Sequence, residues 1–161
     1  MYLNGLPGRI ALLSSSAPPF SGACPLSAPP AAPAAAPTGE PVLRAIAMPA
    51  DTNPNGDIFG GWLLSQMDLA GGSFASQRAK GRVATVAVEA MTFHQPVNVG
   101  DEVSCYCEMQ RVGRTSMTIK VETWTRKREG SSRAKVTQGV FTYVAIGLDR
   151  RPRPVDGEEA A

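Results

Sequence analysis

One short segment gathers the groups best suited to chemistry. In Asn53-Pro-Asn-Gly-Asp-Ile-Phe-Gly-Gly-Trp62 a carboxylate, Asp57, precedes the paired glycines Gly60 and Gly61. Asn53 to Gly56 are residue types that accept tight backbone angles, so the segment opens as a turn. Beyond it Leu63, Leu64, Met67, Ala70, Gly71 and Phe74 recur with a period of about 3.6 residues and predict the buried face of a helix. An acid, bare backbone amides and a helix N-terminus therefore converge. Such a place holds an anion, or negative charge that develops during a reaction. A plainer reading stands beside it. Aspartate before a helix is a common N-cap, and a glycine pair can simply permit close packing.

A second group, Gly113-Arg114-Thr115-Ser116, places a guanidinium and two hydroxyls after a turn glycine. Those donors suit phosphates and amides, and they suit an ordinary charged strand end equally well. Arg126-Lys-Arg128, Arg133 and Lys135 crowd one hairpin tip, where a solvated turn is the simpler account. His94 is the single histidine and, beside Pro96 at a strand end, reads as structural. No G-x-S-x-G elbow is present to go with it. Cys105 and Cys107 share a strand face with Val103 and Met109 and read as core, since zinc needs more ligands than the chain offers nearby. No metal is expected. Asp68, inside the helix, reads as a supporting or polar-face residue.

The elements that must position these groups are legible from periodicity. The helix is expected to start near Ile58 or Phe59 and to run to Ala79. Lys80 suits the negative end of its dipole, and Gly81 is a natural C′ residue. A short strand is expected at 42–48, before the turn. Four more follow the helix, at 82–93, 102–111, 115–128 and 135–148. The first of these is apolar on both faces, Val83, Thr85, Ala87, Glu89, Met91 and Phe93 against Ala84, Val86, Val88, Ala90 and Thr92. A strand apolar on both sides is covered on both sides, which in so small a chain suggests a partner subunit. Short turns favour antiparallel pairing. The fold class is therefore α+β, one long helix packed on an antiparallel five-stranded sheet.

Length and composition bound the rest. The chain has 161 residues and is 43% hydrophobic, enough for one domain with a real core, and its net charge of +2 is too small to imply nucleic-acid binding. Three cysteines without a C-x-x-C suggest a reducing compartment rather than a disulfide scaffold. No apolar run approaches the roughly 20 residues needed to span a bilayer. Residues 1–40 are rich in Pro, Ala and Ser and read as a disordered tail. The apolar run after Arg9 is short of a signal peptide, and Cys24 is a poor lipoprotein site. Residues 41–149 form the domain, and 150–161 read as a flexible C-terminus.

The same strand–turn–helix order, with these motifs in it, resembles the hotdog fold and, more narrowly, the bacterial YciA-type acyl-CoA thioesterases. The stretches that carry the likeness include Ala47-Met-Pro-Ala-Asp-Thr-Asn53, Gly56-Asp-Ile-Phe-Gly-Gly-Trp62, Ser65-Gln-Met-Asp-Leu-Ala70, Met91-Thr-Phe-His-Gln-Pro96 and Val112-Gly-Arg-Thr-Ser116. The resemblance implies hydrolysis of acyl-CoA thioesters to free carboxylic acid and CoA, with CoA as part of the substrate and no separate cofactor. It implies a catalytic acid at Asp57, acting as general base or nucleophile. Gly60 and Gly61 would hold the oxyanion and Asn53 would help to position water or substrate. CoA would be bound at Gly113, Arg114, Thr115 and Ser116. It also implies a homodimer paired along the long strand after the helix, assembling to a hexamer as a trimer of dimers, with its site between subunits. A cytoplasmic location is expected. Two alternatives remain at this level: a hydratase or dehydratase on the same fold, and an acyl-CoA-binding module without turnover.

Overall fold

The computed structural model describes residues 37–156. Most of the expected tail, and residues 157–161, lie outside that range. The elements are β1 (Leu43–Ile46), α1 (Gly60–Ala79), β2 (Val83–Phe93), β3 (Glu102–Val112), β4 (Ser116–Arg126) and β5 (Arg133–Ala145), with one 3₁₀ turn at Pro49–Asp51. The strands make one sheet in the order β1-β3-β4-β5-β2, and every pairing is antiparallel. The sheet packs against α1 with all five strands in contact with the helix. Helix residues Leu63, Met67, Ala70, Ala75 and Ala79 interlock with Val103, Cys105, Met117, Ile119, Val121, Phe141 and Tyr143 as the core. Leu64 departs from the expected face and is exposed.

The long strand β2 is at an edge of the sheet, paired only with β5. Its register slips between Thr85 and Ala87, and again between Glu89 and Thr92. A bulge adds one residue to one strand and resets which side chains face the core. The simple odd–even division of this strand therefore fails: Thr85 and Val88, three residues apart, line one cavity against α1. Val86 (58% exposed) and Phe93 (50%) stand open to solvent on this edge. An edge strand with exposed apolar side chains is a template for pairing with another chain.

The helix ends differ from expectation in two details. Lys80, not Gly81, takes the left-handed conformation (φ 50°), and its amide bonds back to Gln77 and Ser76. The chain beyond Asp149 is also not loose as far as it is described. Arg153 is buried and donates to the Ala79 carbonyl at 2.8 Å, closing the end of α1. Val155 joins the core, and its amide reaches Arg114 O at 2.9 Å. A basic side chain at a helix C-terminus satisfies carbonyls that have no intrahelical partner.

On the sheet face turned away from α1, Glu122 accepts from Lys135 (2.9 Å) and Trp124 (3.3 Å) and pairs with Lys120 (2.7 Å). Burial alone would raise its carboxyl, but these donors outweigh burial and bring it down to about 2. A depressed carboxylate stabilises the fold above its ordinary pKa and loses that contribution as pH falls through the folded value. Glu122→Gln is thus expected to cost about 1–3 kcal/mol at neutral pH, with the difference gone near pH 2. Acid-unfolding curves of both proteins check this; a gap that stays constant down to pH 2 would contradict it.

Candidate active site

The turn ahead of α1 is built by Asn53. Its side-chain oxygen accepts from the amides of Asn55 (2.9 Å) and Asp57 (3.2 Å), and its own amide donates to Asp57 O at 2.7 Å. Gly56 sits at φ 89°, a region that favours glycine. Ile58 is buried and its amide bonds to Val97 O, anchoring the turn. Asn53 is therefore engaged in shaping the loop, and its oxygen already serves two amides.

Asp57 does not cap the helix. The N-cap is Phe59, and no side chain caps that end. The Asp57 side chain is exposed, and its carboxylate has no partner among the described residues. Trp62 and Leu63 donate to Phe59 O at 3.0 and 3.3 Å, whereas the amides of Gly60 and Gly61 bond to nothing among the described residues. Packing within the chain does not demand these two glycines. A Cβ on Gly60 would meet Phe93 at 3.6 Å and one on Gly61 would meet Phe59 at 3.7 Å, both ordinary contacts. What the pair leaves open is access to two free donors at the positive end of a 20-residue helix.

A cavity of about 290 Å³ opens between the first half of α1 and β2. Gly61, Leu64, Asp68, Thr85, Val88 and Phe141 line it, and Asp57 does not. Its one carboxylate is Asp68. Oδ1 of Asp68 accepts from the Thr85 hydroxyl at 2.7 Å, and the Tyr143 hydroxyl lies 3.3 Å from the same oxygen. The second carboxylate oxygen has no partner among the described residues. From sequence alone Asp68 reads only as a supporting or polar-face residue. A signal for it existed: Gly61, Leu64, Ser65 and Asp68 follow the spacing of one helix stripe, a different stripe from the core face.

The Gly113–Ser116 segment is the β3–β4 hairpin turn, closed by Gly113 N donating to Ser116 O at 2.7 Å. Thr115 O accepts from Ala145 N and Arg114 O from Val155 N, so this turn sits with the C-terminal end of α1. The helix spans about 30 Å, so one chain does not bring Arg114 to Asp57, Gly60 or Gly61. The other basic residues are largely paired. Arg126 bonds Glu102 (2.8 Å), Lys127 bonds Asp101 (2.9 Å) and Arg133 donates to Tyr106 (2.9 Å). His94 is outside the cavity, its amide held by Val136 O. Burial pushes the Cys105 thiol up to about 11 and Cys107 up to about 12, so both stay protonated and inert at neutral pH.

A long helix held against one antiparallel sheet places the chain in the hotdog thioesterase class. The thioesterase superfamily model matches residues 55–132. The chain is 53% identical over 120 residues to the acyl-CoA thioester hydrolase YciA of Salmonella typhimurium, covering 73% of this chain and 90% of that one. It superposes on the hexameric thioesterase of Yersinia pestis with a TM-score of 0.72 at 52% identity, over 76% of this chain and 99% of that one. A hexameric broad specificity acyl-coenzyme A thioesterase, solved as an aspartate-to-alanine mutant, matches with a TM-score of 0.71 at 50% identity, over 74% and 88%. The chain belongs to the YciA family of acyl-CoA thioester hydrolases.

Proposed function

We propose that this protein hydrolyses acyl-CoA thioesters to a free carboxylic acid and CoA, with Asp68 as the reacting carboxylate. The observation that carries the reading is the free oxygen of Asp68 in an otherwise largely apolar cavity beside unbonded helix amides. Apolar walls suit an acyl chain. The carboxylate acts as general base: it takes a proton from water as the water oxygen attacks the thioester carbon. The carbonyl electron pair moves to its oxygen, where backbone amides meet the charge. Collapse of that adduct expels CoA thiolate, which takes the proton from Asp68. Asp57 is the second candidate, because its carboxylate is exposed and unpartnered just before the same amides.

Geometry favours a site shared by two copies. Asp68 lies about 10 Å along the helix from the Gly61 amide, too far for both to meet one carbonyl. Two β2 edges paired about a two-fold axis run their helices in opposite directions. The helix start of one subunit then approaches Asp68 of the other, and the Arg114 turn moves toward the far helix start. We assign Arg114, Thr115 and Ser116 to CoA on that basis, and a trimer of such dimers as the assembly. The hydratase alternative needs an acid and a histidine together, and His94 is outside the cavity.

Thiol release from a panel of acyl-CoA esters tests the reading. Steady turnover of at least one ester is expected, and Arg114→Ala should raise KM several-fold with kcat little changed. Ligand binding with no thiol released from any ester would replace the hydrolase by a binding module.

A further inference from the structure

Tyr143 comes from the far end of the chain to meet Asp68, and its hydroxyl faces two acceptors of that one residue. It lies 3.2 Å from the main-chain oxygen of Asp68 and 3.3 Å from Oδ1. A phenol has one proton, so it donates to one of them at a time. The ring has no freedom to leave. Tyr143 is fully buried and its ring centroid is 6.3 Å from that of Phe141, nearly parallel. Gly71 opposes it: a Cβ there would overlap the phenol oxygen and come within 2.9 Å of the ring. The helix thus carries a glycine where this hydroxyl must pass.

We propose that Tyr143 is a positioning residue for Asp68, a donor that turns to the carboxylate while it is charged and back to the main-chain oxygen when it is neutral. The inference rests on Asp68 as the reacting group. During turnover Asp68 gains and loses a proton, and each time a hydroxyl with a second acceptor in reach can follow without leaving a buried donor unbonded. Thr85, from β2, holds Oδ1 by its own hydrogen bond throughout, which leaves the other oxygen to the substrate. Burial and the Asp68 charge push the phenol well up, so it stays a donor at any working pH. The Cys107 thiol on β3 is the other titratable group that acts on the phenol, and burial keeps it neutral.

Tyr143→Phe removes the hydroxyl and keeps the ring, and its pH–rate profile beside those of wild type and Asp68→Asn tests the inference. A donor to the charged form favours that form, so its loss should move the acid limb of kcat upward by about half a pH unit or more. We expect kcat to fall about tenfold and KM to stay within about twofold, in a variant whose thermal unfolding is still cooperative. An unmoved acid limb, whether or not kcat falls, overturns the positioning role while an inactive Asp68→Asn leaves the reacting carboxylate in place. Wild-type turnover by Asp68→Asn removes the carboxylate itself, and this inference with it.

Discussion

Asp68→Asn is expected to lower kcat for thioester hydrolysis by about three orders of magnitude, the usual contribution of a positioned general base. Asparagine keeps the size and the hydrogen bond to Thr85 but cannot take a proton. The loss should appear in kcat rather than in KM, because the acyl chain still meets the same apolar walls. Asp57→Ala is the necessary companion, and we expect it to keep turnover within about tenfold of wild type. The contrast is set by placement: Asp68 lines the cavity and Asp57 stands outside it. The opposite ranking, with Asp57→Ala inactive and Asp68→Asn active, would return the chemistry to the loop before the helix.

The second large effect concerns neighbouring glycines that should respond with opposite signs. Gly71→Ala puts a methyl group into the Tyr143 hydroxyl and ring, and the ring is sealed in the core. Overpacking of this kind costs about 1–3 kcal/mol, more than the roughly 1 kcal/mol that alanine gains over glycine in a helix. At Gly72 the nearest atom to an added Cβ is Tyr143 Cε1 at 3.7 Å, an ordinary contact. Gly72→Ala should therefore stabilise, by up to about 1 kcal/mol. Denaturant midpoints at one fixed protein concentration compare the two. In a double-mutant cycle, Tyr143→Phe should recover part of the Gly71→Ala loss, because the atom in closest conflict is then gone. Purely additive effects would mean that the two side chains do not meet.

Much of the architecture is legible from local pattern. Leu63, Met67 and Ala70 announce a helix face, and Val103, Cys105, Met117, Ile119 and Val121 announce strands with one side inward; each is buried as its spacing requires. The turn from Asn53 to Gly56 is legible because its residue types have few other uses. The place of Asp68 is not legible in the sequence for a physical reason. A carboxylate within a helix looks the same in sequence whether it faces water or a cavity, and the difference is made by Thr85 and Tyr143, which are 17 and 75 residues away. The bulges in β2 were invisible for a related reason: a register slip is a property of two strands, not of one.

Residue type and spacing alone settle the order of elements, the antiparallel class, the core faces of β3 and β4, most of that of α1 and the loop that opens the helix, because each depends on interactions within a few residues along the chain. Only the tertiary structure decides that β2 is an edge, that the 150–156 segment folds back onto the end of α1, and which carboxylate meets the cavity. Those outcomes depend on contacts between distant segments, whose register no local periodicity encodes.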